Sequence, residues 1–329
     1  MKFLILGSGS FAGQIIFSEF LKRKYDVYGF NRSTPKDSYE WPWIEKYRAK
    51  LEGRWFQYNL VNDLDSIIKH IAKLKPEFII DFMGQGMVAQ SWKSPEVWYS
   101  TNLACKSKLM NSLVDAPNLK KYIRIGTPEV FGSSERFLKE DEKFNPSTPY
   151  AVSHAAIDFN LRCLHKQFQF PFLIGRFANF YGVGQQLYRI IPRLFLSCKT
   201  GKNFTLDGKG ESKRSFIFSE DIVSAIDRMC EFKGNGEEFN FSSNEEISIS
   251  SLVEKVCDLT KVDKTEILKF GPERPGKDKY YRLNIEKSKR VLNWEPKVFL
   301  DQGLDNVNSW ISKNINNLTE KSWEYNHKN

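Results

Sequence analysis

The sequence predicts an α/β protein: a doubly wound parallel sheet joined to a smaller mixed α/β lobe that closes over its edge. Through the first half, apolar runs of strand length alternate with stretches whose apolar residues recur at helical spacing. The first run opens directly onto a glycine-rich turn, and from Phe177 the alternation becomes irregular. Regular βα alternation implies parallel strands with helices on both faces, and its loss marks where a second lobe begins.

Lys2–Leu6 is the first strand, followed by Gly7-Ser8-Gly9-Ser10-Phe11-Ala12-Gly13 and a helix carrying Ile15, Ile16, Phe20 and Leu21. Glycines at such a turn let the backbone approach a pyrophosphate, whose charge the helix N-terminus stabilises. A tight turn needs glycine too, but the place of the motif at the head of a βαβ pattern favours a dinucleotide. The second strand, Asp26–Phe30, ends in Asn31-Arg32-Ser33. An acid here suits the ribose 2′-hydroxyl of NAD, whereas a cation and a hydroxyl suit the 2′-phosphate of NADP. NADP is therefore the expected cofactor, with NAD as the alternative; Arg32 reads either as the phosphate contact or as a solvated arginine.

The third strand, Trp55–Asn59, runs into Leu60 and a helix from Asp63 to Leu74. The fourth, Phe78–Phe82, leads to Met83-Gly84-Gln85-Gly86 and then to one long helix, Val97 to Leu113, with Leu103, Leu109, Met110 and Leu113 at helical spacing. Asn102 within it is either an exposed polar residue or part of a buried network. A buried strand with Tyr122, Ile123 and Ile125 then delivers Gly126-Thr127-Pro128-Glu129-Val130-Phe131-Gly132, and Ser147-Thr148-Pro149-Tyr150 opens a helix to about Gln167. Tyr150 and His154 lie one turn apart on one helix face, so each tunes the other's ionisation. With a hydroxyl and a carboxylate at a strand's C-terminal end opposite them, they form a proton-handling group beside the crevice where open α/β sheets bind ligands. Glu129, next to apolar Val130-Phe131, should be desolvated toward a general base, unless it is a loop carboxylate paired to a surface lysine. Tyr150 in turn reads as a base or as a packing tyrosine.

A strand at Phe172–Arg176 closes the regular half. Beyond it lie Asn179-Phe180-Tyr181-Gly182, a helix near Ile190–Cys198, a turn at Asp207-Gly208-Lys209-Gly210, and a helix capped by Ser219 and running through Cys230 with Glu220 and Asp221 in its first turn. A strand at Glu238–Phe241, a helix at Ser250–Leu259 and the loop Pro272-Glu273-Arg274-Pro275-Gly276-Lys277-Asp278 complete the lobe. Arg214 and Arg274 read either as a bidentate clamp on a diphosphate or as surface arginines. The expected division is 1–176 for dinucleotide binding, with 215–242 returning to it, then 177–214 and 243–316 for the second lobe. The polar end, 317–329, is expected to be expendable.

The chain of 329 residues can bury a sizeable core, and its 41% hydrophobic and 27% charged content is ordinary for a soluble protein. The net charge of +9 is dispersed among 40 acidic residues, so it suits a diphosphate ligand and gives no support to a nucleic-acid partner. No apolar run approaches the ~20 residues that span a bilayer. Met1-Lys2 leads straight into the first strand instead of a signal sequence, so no membrane partner and a cytoplasmic location are expected. Cys105, Cys163, Cys198, Cys230 and Cys257 are widely spaced, show no metal-ligand pattern and read as core thiols in a reducing compartment.

In this order, Thr127-x-Glu129-Val130-Phe131-Gly132, Ser147-x-Pro149-Tyr150, Asn179-x-Tyr181-Gly182, Gly208-Lys209-Gly210 followed by Arg214, Arg274-Pro275-Gly276-x-Asp278 and Leu292-Asn293-Trp294-x-Pro296 resemble the extended short-chain dehydrogenase/reductase family of nucleotide-sugar epimerases and dehydratases. The dTDP-glucose 4,6-dehydratase branch is the most similar, and the resemblance covers Gly7 to about Trp310. It implies a Rossmann sheet, a nucleotide-diphosphate sugar as substrate, and a homodimer built from the helices Val97–Leu113 and Pro149–Gln167. It also implies that Tyr150 takes the proton of the sugar 4-hydroxyl, that Thr127 hydrogen-bonds the same oxygen, and that Glu129 removes the proton at carbon 5 as water leaves carbon 6. Cofactor contacts are implied for Gly7, Gly9, Ser10, Phe11 and Gly13, for Asn31, Arg32 and Ser33, and for Asn59, Leu60, Met83 and Gly84, with Tyr150 and His154. Substrate contacts are implied for Gln85, Asn179, Arg214 and Arg274.

This chain departs from the family at four places. Ser10 replaces a glycine, Gly86-Met87 stand for Ser-His, Pro128 takes the place of an acid, and His154 takes the place of a lysine. A nucleotide-sugar 4-epimerase, a uronate decarboxylase and a non-catalytic nucleotide-sugar-binding homologue remain alternatives to the dehydratase.

Overall fold

The computed structural model describes residues 1–273, 276 and 278–327. Its central sheet has seven strands: β1 (Lys2–Leu6), β2 (Asp26–Asn31), β3 (Trp55–Gln57), β4 (Phe78–Asp81), β5 (Lys121–Gly126), β6 (Phe172–Phe177) and β7 (Glu237–Phe241). Every pairing is parallel and the spatial order is β7-β6-β5-β4-β1-β2-β3. Successive residues of a strand point to opposite faces, and here both sets are apolar, so both faces are covered. Phe3 and Ile5 join Ile16 and Phe20 of α1 (Phe11–Lys22) and Ile222 and Ile226 of α4 (Ser219–Glu231) in one core. Leu4 and Leu6 join Ile67 and Ile71 of α2 (Leu64–Leu74) and Ile157 and Leu161 of α3 (Pro149–Phe168) in the other. This is the expected doubly wound α/β sheet.

The strand order reverses between β1 and β4, which opens a crevice at their C-terminal ends. Outside the sheet, Asn179–Tyr181 pairs with Phe216–Phe218 and Phe204–Asp207 with Leu268–Gly271, around a separate core that includes Phe195, Leu206, Leu252, Val256 and Leu304. Glu237–Phe241 returns the chain to the sheet beside β6. Among the described residues no helix is long and apolar enough to cross a membrane.

Several local expectations are corrected. The single helix Val97–Leu113 is instead Pro95–Tyr99, a π-helical stretch Ser100–Cys105, and Lys106–Asn111. The wider turn carries Asn102 inward, where it is 2% exposed. The third strand stops at Gln57, not Asn59, because the Asn59 side-chain oxygen accepts from the N–H groups of Val61 (2.9 Å) and Asn62 (3.3 Å) and turns the chain. Ser219 is the first residue of α4 and not its cap; it packs against Gly182. Cys163 is exposed, unlike a core thiol. The polar end is docked on the fold: Ile315–Thr319 is helical, Leu318 is fully buried, Trp323 packs on the second core, and Tyr325 meets Tyr188 edge-on at 5.1 Å. Two apolar anchors in a polar segment are enough to dock it.

Candidate active site

The crevice holds a cavity of about 1010 Å³, at the upper end of the ~300–1,000 Å³ usual for small-molecule sites. Gly7, Gly9, Ser10 and Phe11 line one end of it. Gly7 has φ +78°, and a Cβ there would lie 2.8 Å from the Phe82 carbonyl carbon, so the close approach of β1 to β4 requires glycine. Ser10 has ordinary extended backbone, and its hydroxyl accepts the Gly13 N–H at 3.0 Å, capping α1. A serine therefore fits where the family has glycine. Gly13 does not line the cavity; a Cβ on it would strike the Gly7 carbonyl, and its smallness serves helix-to-strand packing. Asn31, Arg32 and Ser33, then Asn59, Leu60, Met83 and Gly84, continue the wall. The Asn31 amide donates to the Ser33 carbonyl at 3.0 Å, and Arg32 is exposed.

Thr127, Glu129, Tyr150 and His154 all reach the same cavity. β5 ends at Gly126, and Thr127 caps the 3-10 turn Pro128–Phe131, its hydroxyl accepting the Glu129 N–H at 3.3 Å. Across from it, Thr148 caps α3 with Pro149 at the first position, and the Tyr150 N–H is held by Ser91 Oγ at 3.1 Å. The rings of Tyr150 and His154 lie 4.4 Å apart, as the one-turn spacing requires. Burial pushes the Tyr150 phenol well above its ordinary range, and the negative charge of Glu129 pushes it further. A contact with the Thr127 hydroxyl, and the more distant Arg189 and Arg124, pull it part of the way back. His154 is held well below its ordinary value, first by burial and then by the cations Arg124 and Lys106.

Behind this surface lies a charged layer that the sequence reading did not single out. Lys106, 2% exposed, pairs with Asp81 at 2.7 Å, while Asp81 also accepts from the Tyr122 hydroxyl (2.8 Å) and the Met83 N–H (2.9 Å). Burial draws Lys106 down to about 8 against the opposing pull of Asp81. Arg124 Nε donates to Asp158 at 2.8 Å, Arg176 holds the other Asp158 oxygen at 2.8 Å, and Arg124 Nη2 donates to His154 Nδ1 at 2.9 Å. Asn102 ties the layer to the loop after β4: its side chain accepts the Gln85 N–H at 2.8 Å and donates to the Gln85 carbonyl and to Ser153 Oγ, both at 3.1 Å. The signals in the sequence were charged residues inside mostly apolar central strands: Asp81, Arg124 and Arg176.

On the other side of the cavity, Gln85 is buried and Asn179 accepts from the Tyr281 hydroxyl at 3.1 Å. Arg214 also lines the cavity, but its guanidinium lies 4.0 Å over the Tyr281 ring and donates to the carbonyls of Lys213, Lys279 and Asp278. Arg274 lies outside the described residues. Sequence reading missed Arg189, Tyr281 and Tyr325, which also line the cavity.

Residues 4–307 match the family model described as GDP-mannose 4,6 dehydratase. The chain belongs to that family. This GDP-mannose 4,6-dehydratase family member is 27% identical to dTDP-D-glucose 4,6-dehydratase of Mus musculus, over 75% of this chain and 72% of the relative. In structure it is similar to a dTDP-glucose 4,6-dehydratase from Streptomyces venezuelae with NAD bound (TM-score 0.85, 23% identity, 96% of this chain and 98% of that one). It is equally similar to UDP-glucuronic acid 4-epimerase from Bacillus cereus in complex with UDP-glucuronic acid and NAD (TM-score 0.84, 24% identity, 95% and 99%). Dehydratases and epimerases thus share this fold, and the fold does not separate the two reactions.

Proposed function

We propose that the protein is a 4,6-dehydratase-type enzyme acting on a nucleotide-diphosphate sugar with a bound nicotinamide dinucleotide. The observation that carries this reading is the convergence of Thr127, Glu129 and Tyr150 on one stretch of cavity, with Glu129 near enough for its charge to act on the phenol. The glycine turn fits a dinucleotide. Phe11 and Ala12 line the cavity at the start of α1, and their N–H groups have no partner among the described residues. A dinucleotide bound there supplies the acceptor, and later the donor, of hydride. Tyr150 takes the proton of the sugar 4-hydroxyl while the Thr127 hydroxyl bonds the same oxygen. The ketone so formed acidifies the neighbouring C–H bond: Glu129 takes the proton from carbon 5 and, thus protonated, gives it to the hydroxyl leaving carbon 6 as water. Hydride then returns to carbon 6 and carbon 5 takes a proton from solvent, into which Tyr150 releases its own.

NADP is the proposed dinucleotide, on the strength of Arg32 and Ser33 at the end of β2 where NAD sites carry an acid. Arg32→Ala should weaken NADP about tenfold and leave NAD nearly unchanged in a fluorescence titration. Equal loss for both would show that Arg32 does not read the 2′-phosphate.

Pro128 favours a second reading. It is buried at the first position of its turn and has no proton to give a leaving hydroxyl, and a 4-epimerase needs none. Reaction in deuterated water separates the two. Deuterium at carbon 5 with loss of water marks the dehydratase, and unchanged mass without deuterium marks the epimerase. Deuterium with loss of carbon dioxide would mark a decarboxylase. Binding without any product would end the catalytic reading.

A further inference from the structure

Arginine carries five N–H donors and no acceptor, so the 2.9 Å contact between Arg124 Nη2 and His154 Nδ1 admits one arrangement: arginine donates and Nδ1 accepts. The imidazole is then neutral, with its proton on Nε2. Nε2 has no hydrogen-bond partner among the described residues, and the ring lines the cavity, so this N–H is offered to whatever occupies it. We propose that Arg124 is a positioning residue of this site, locking His154 as an Nε2–H donor toward a ribose hydroxyl of the dinucleotide and standing behind it as a fixed cation. The proposal rests on the reading of the cavity as a dinucleotide site, and not on which sugar is transformed.

The lock is itself held from two sides. Arg124 is 1% exposed; its Nε donates to Asp158 Oδ1 at 2.8 Å and its Nη1 to the Ile125 carbonyl at 3.3 Å. Asp158 belongs to the same helix as His154, one turn further on, so α3 grips the arginine that fixes its own histidine. The charged groups facing His154 are Arg124 from β5, Lys106 from the helix after the π turn, and Tyr150 and Asp158 from α3. Of the carboxylates around it, Asp81 is committed to Lys106 and Tyr122 and Asp158 to Arg124 and Arg176, while Glu129, on the turn Pro128–Phe131, acts on Tyr150 and not on the imidazole. A proton on Nδ1 would break the arginine bond and place a third cation beside Arg124 and Lys106, which opposes protonation across the working pH range.

Nitrogen-15 NMR of histidine-labelled protein, with His154 assigned by its loss in His154→Gln, tests this without any substrate. In the unaltered protein, His154 should show a bare Nδ1 and a protonated Nε2, with no titration around the ordinary ~6.5. Arg124→Met should release the lock, raise the titration of His154 while burial and Lys106 still hold it below the ordinary range, and weaken dinucleotide binding about tenfold by tryptophan fluorescence. Arg124→Lys, which keeps the cation, should recover part of that affinity. A proton on Nδ1, a midpoint near ~6.5 in the unaltered protein, or dinucleotide affinity unchanged in a folded Arg124→Met would each overturn the proposal. If Arg124→Met does not fold, the spectrum of the unaltered protein alone decides. A protein that passes these tests yet converts no nucleotide sugar would sink the reaction assigned above and leave the role of Arg124 standing.

Discussion

Tyr150 sits where burial and Glu129 both disfavour its phenolate, so its protonated form persists well past neutrality. A base must lose its proton before it can accept one, and the rate of sugar oxidation should therefore keep climbing above pH 8, roughly, before it levels. Tyr150→Phe should lower that rate by about 10²–10⁴-fold with the fold intact by circular dichroism. A flat pH profile, or a Phe variant of full activity, would remove Tyr150 as the base. Glu129→Gln makes a two-part test. Without the carboxylate the phenol loses an opposing charge, so the rising limb should move to lower pH. Without the carbon-5 base, the reaction should stop at the ketone, with absorbance of reduced cofactor persisting. Complete product from Glu129→Gln would leave epimerisation as the surviving reading. That Thr127, Glu129, Tyr150 and His154 would face one cavity was legible because motif spacing along one strand-turn-helix stretch reveals them. The layer behind them was not: Lys106 and Asp81, Tyr122 and Asp81, Arg124 and His154, and Arg124 and Asp158 are 25, 41, 30 and 34 residues apart, and only the sheet brings them together.

At the scale of elements, the seven sheet strands and the helices between them were readable from apolar period, mostly to within one or two residues. The π-helical Ser100–Cys105 was not, since Leu103, Leu109 and Met110 suit an unbroken helix and one inserted residue leaves the period almost intact. Its consequence is local and testable. Asn102→Ala strips a buried partner from both the N–H and carbonyl of Gln85 and from Ser153, which should cost about 1–3 kcal/mol in urea unfolding and loosen the loop that carries Met83 and Gly84. Unchanged stability would mean that water replaces the amide.

For the whole molecule, alternation of strand and helix foretold the doubly wound sheet, while the docking of the polar end escaped notice because its composition hides Leu318 and Trp323. Tyr99 (37%), Val152 (40%) and Phe159 (49%) are exposed apolar groups on neighbouring helices, a surface suited to a second copy of the chain. A two-fold homodimer is the expected outcome, with sedimentation at micromolar concentration giving twice the chain mass and Phe159→Glu giving the chain mass. A monomer in the unaltered protein would exclude it.

The walls of the cavity are drawn from Gly7 at one extreme and Tyr325 at the other. A growing polypeptide on the ribosome can form β1 and its glycine turn early, yet no nascent fragment short of Tyr325 possesses the finished cavity. Ligand therefore meets a complete cavity only after Tyr325 has been added and has reached Tyr188.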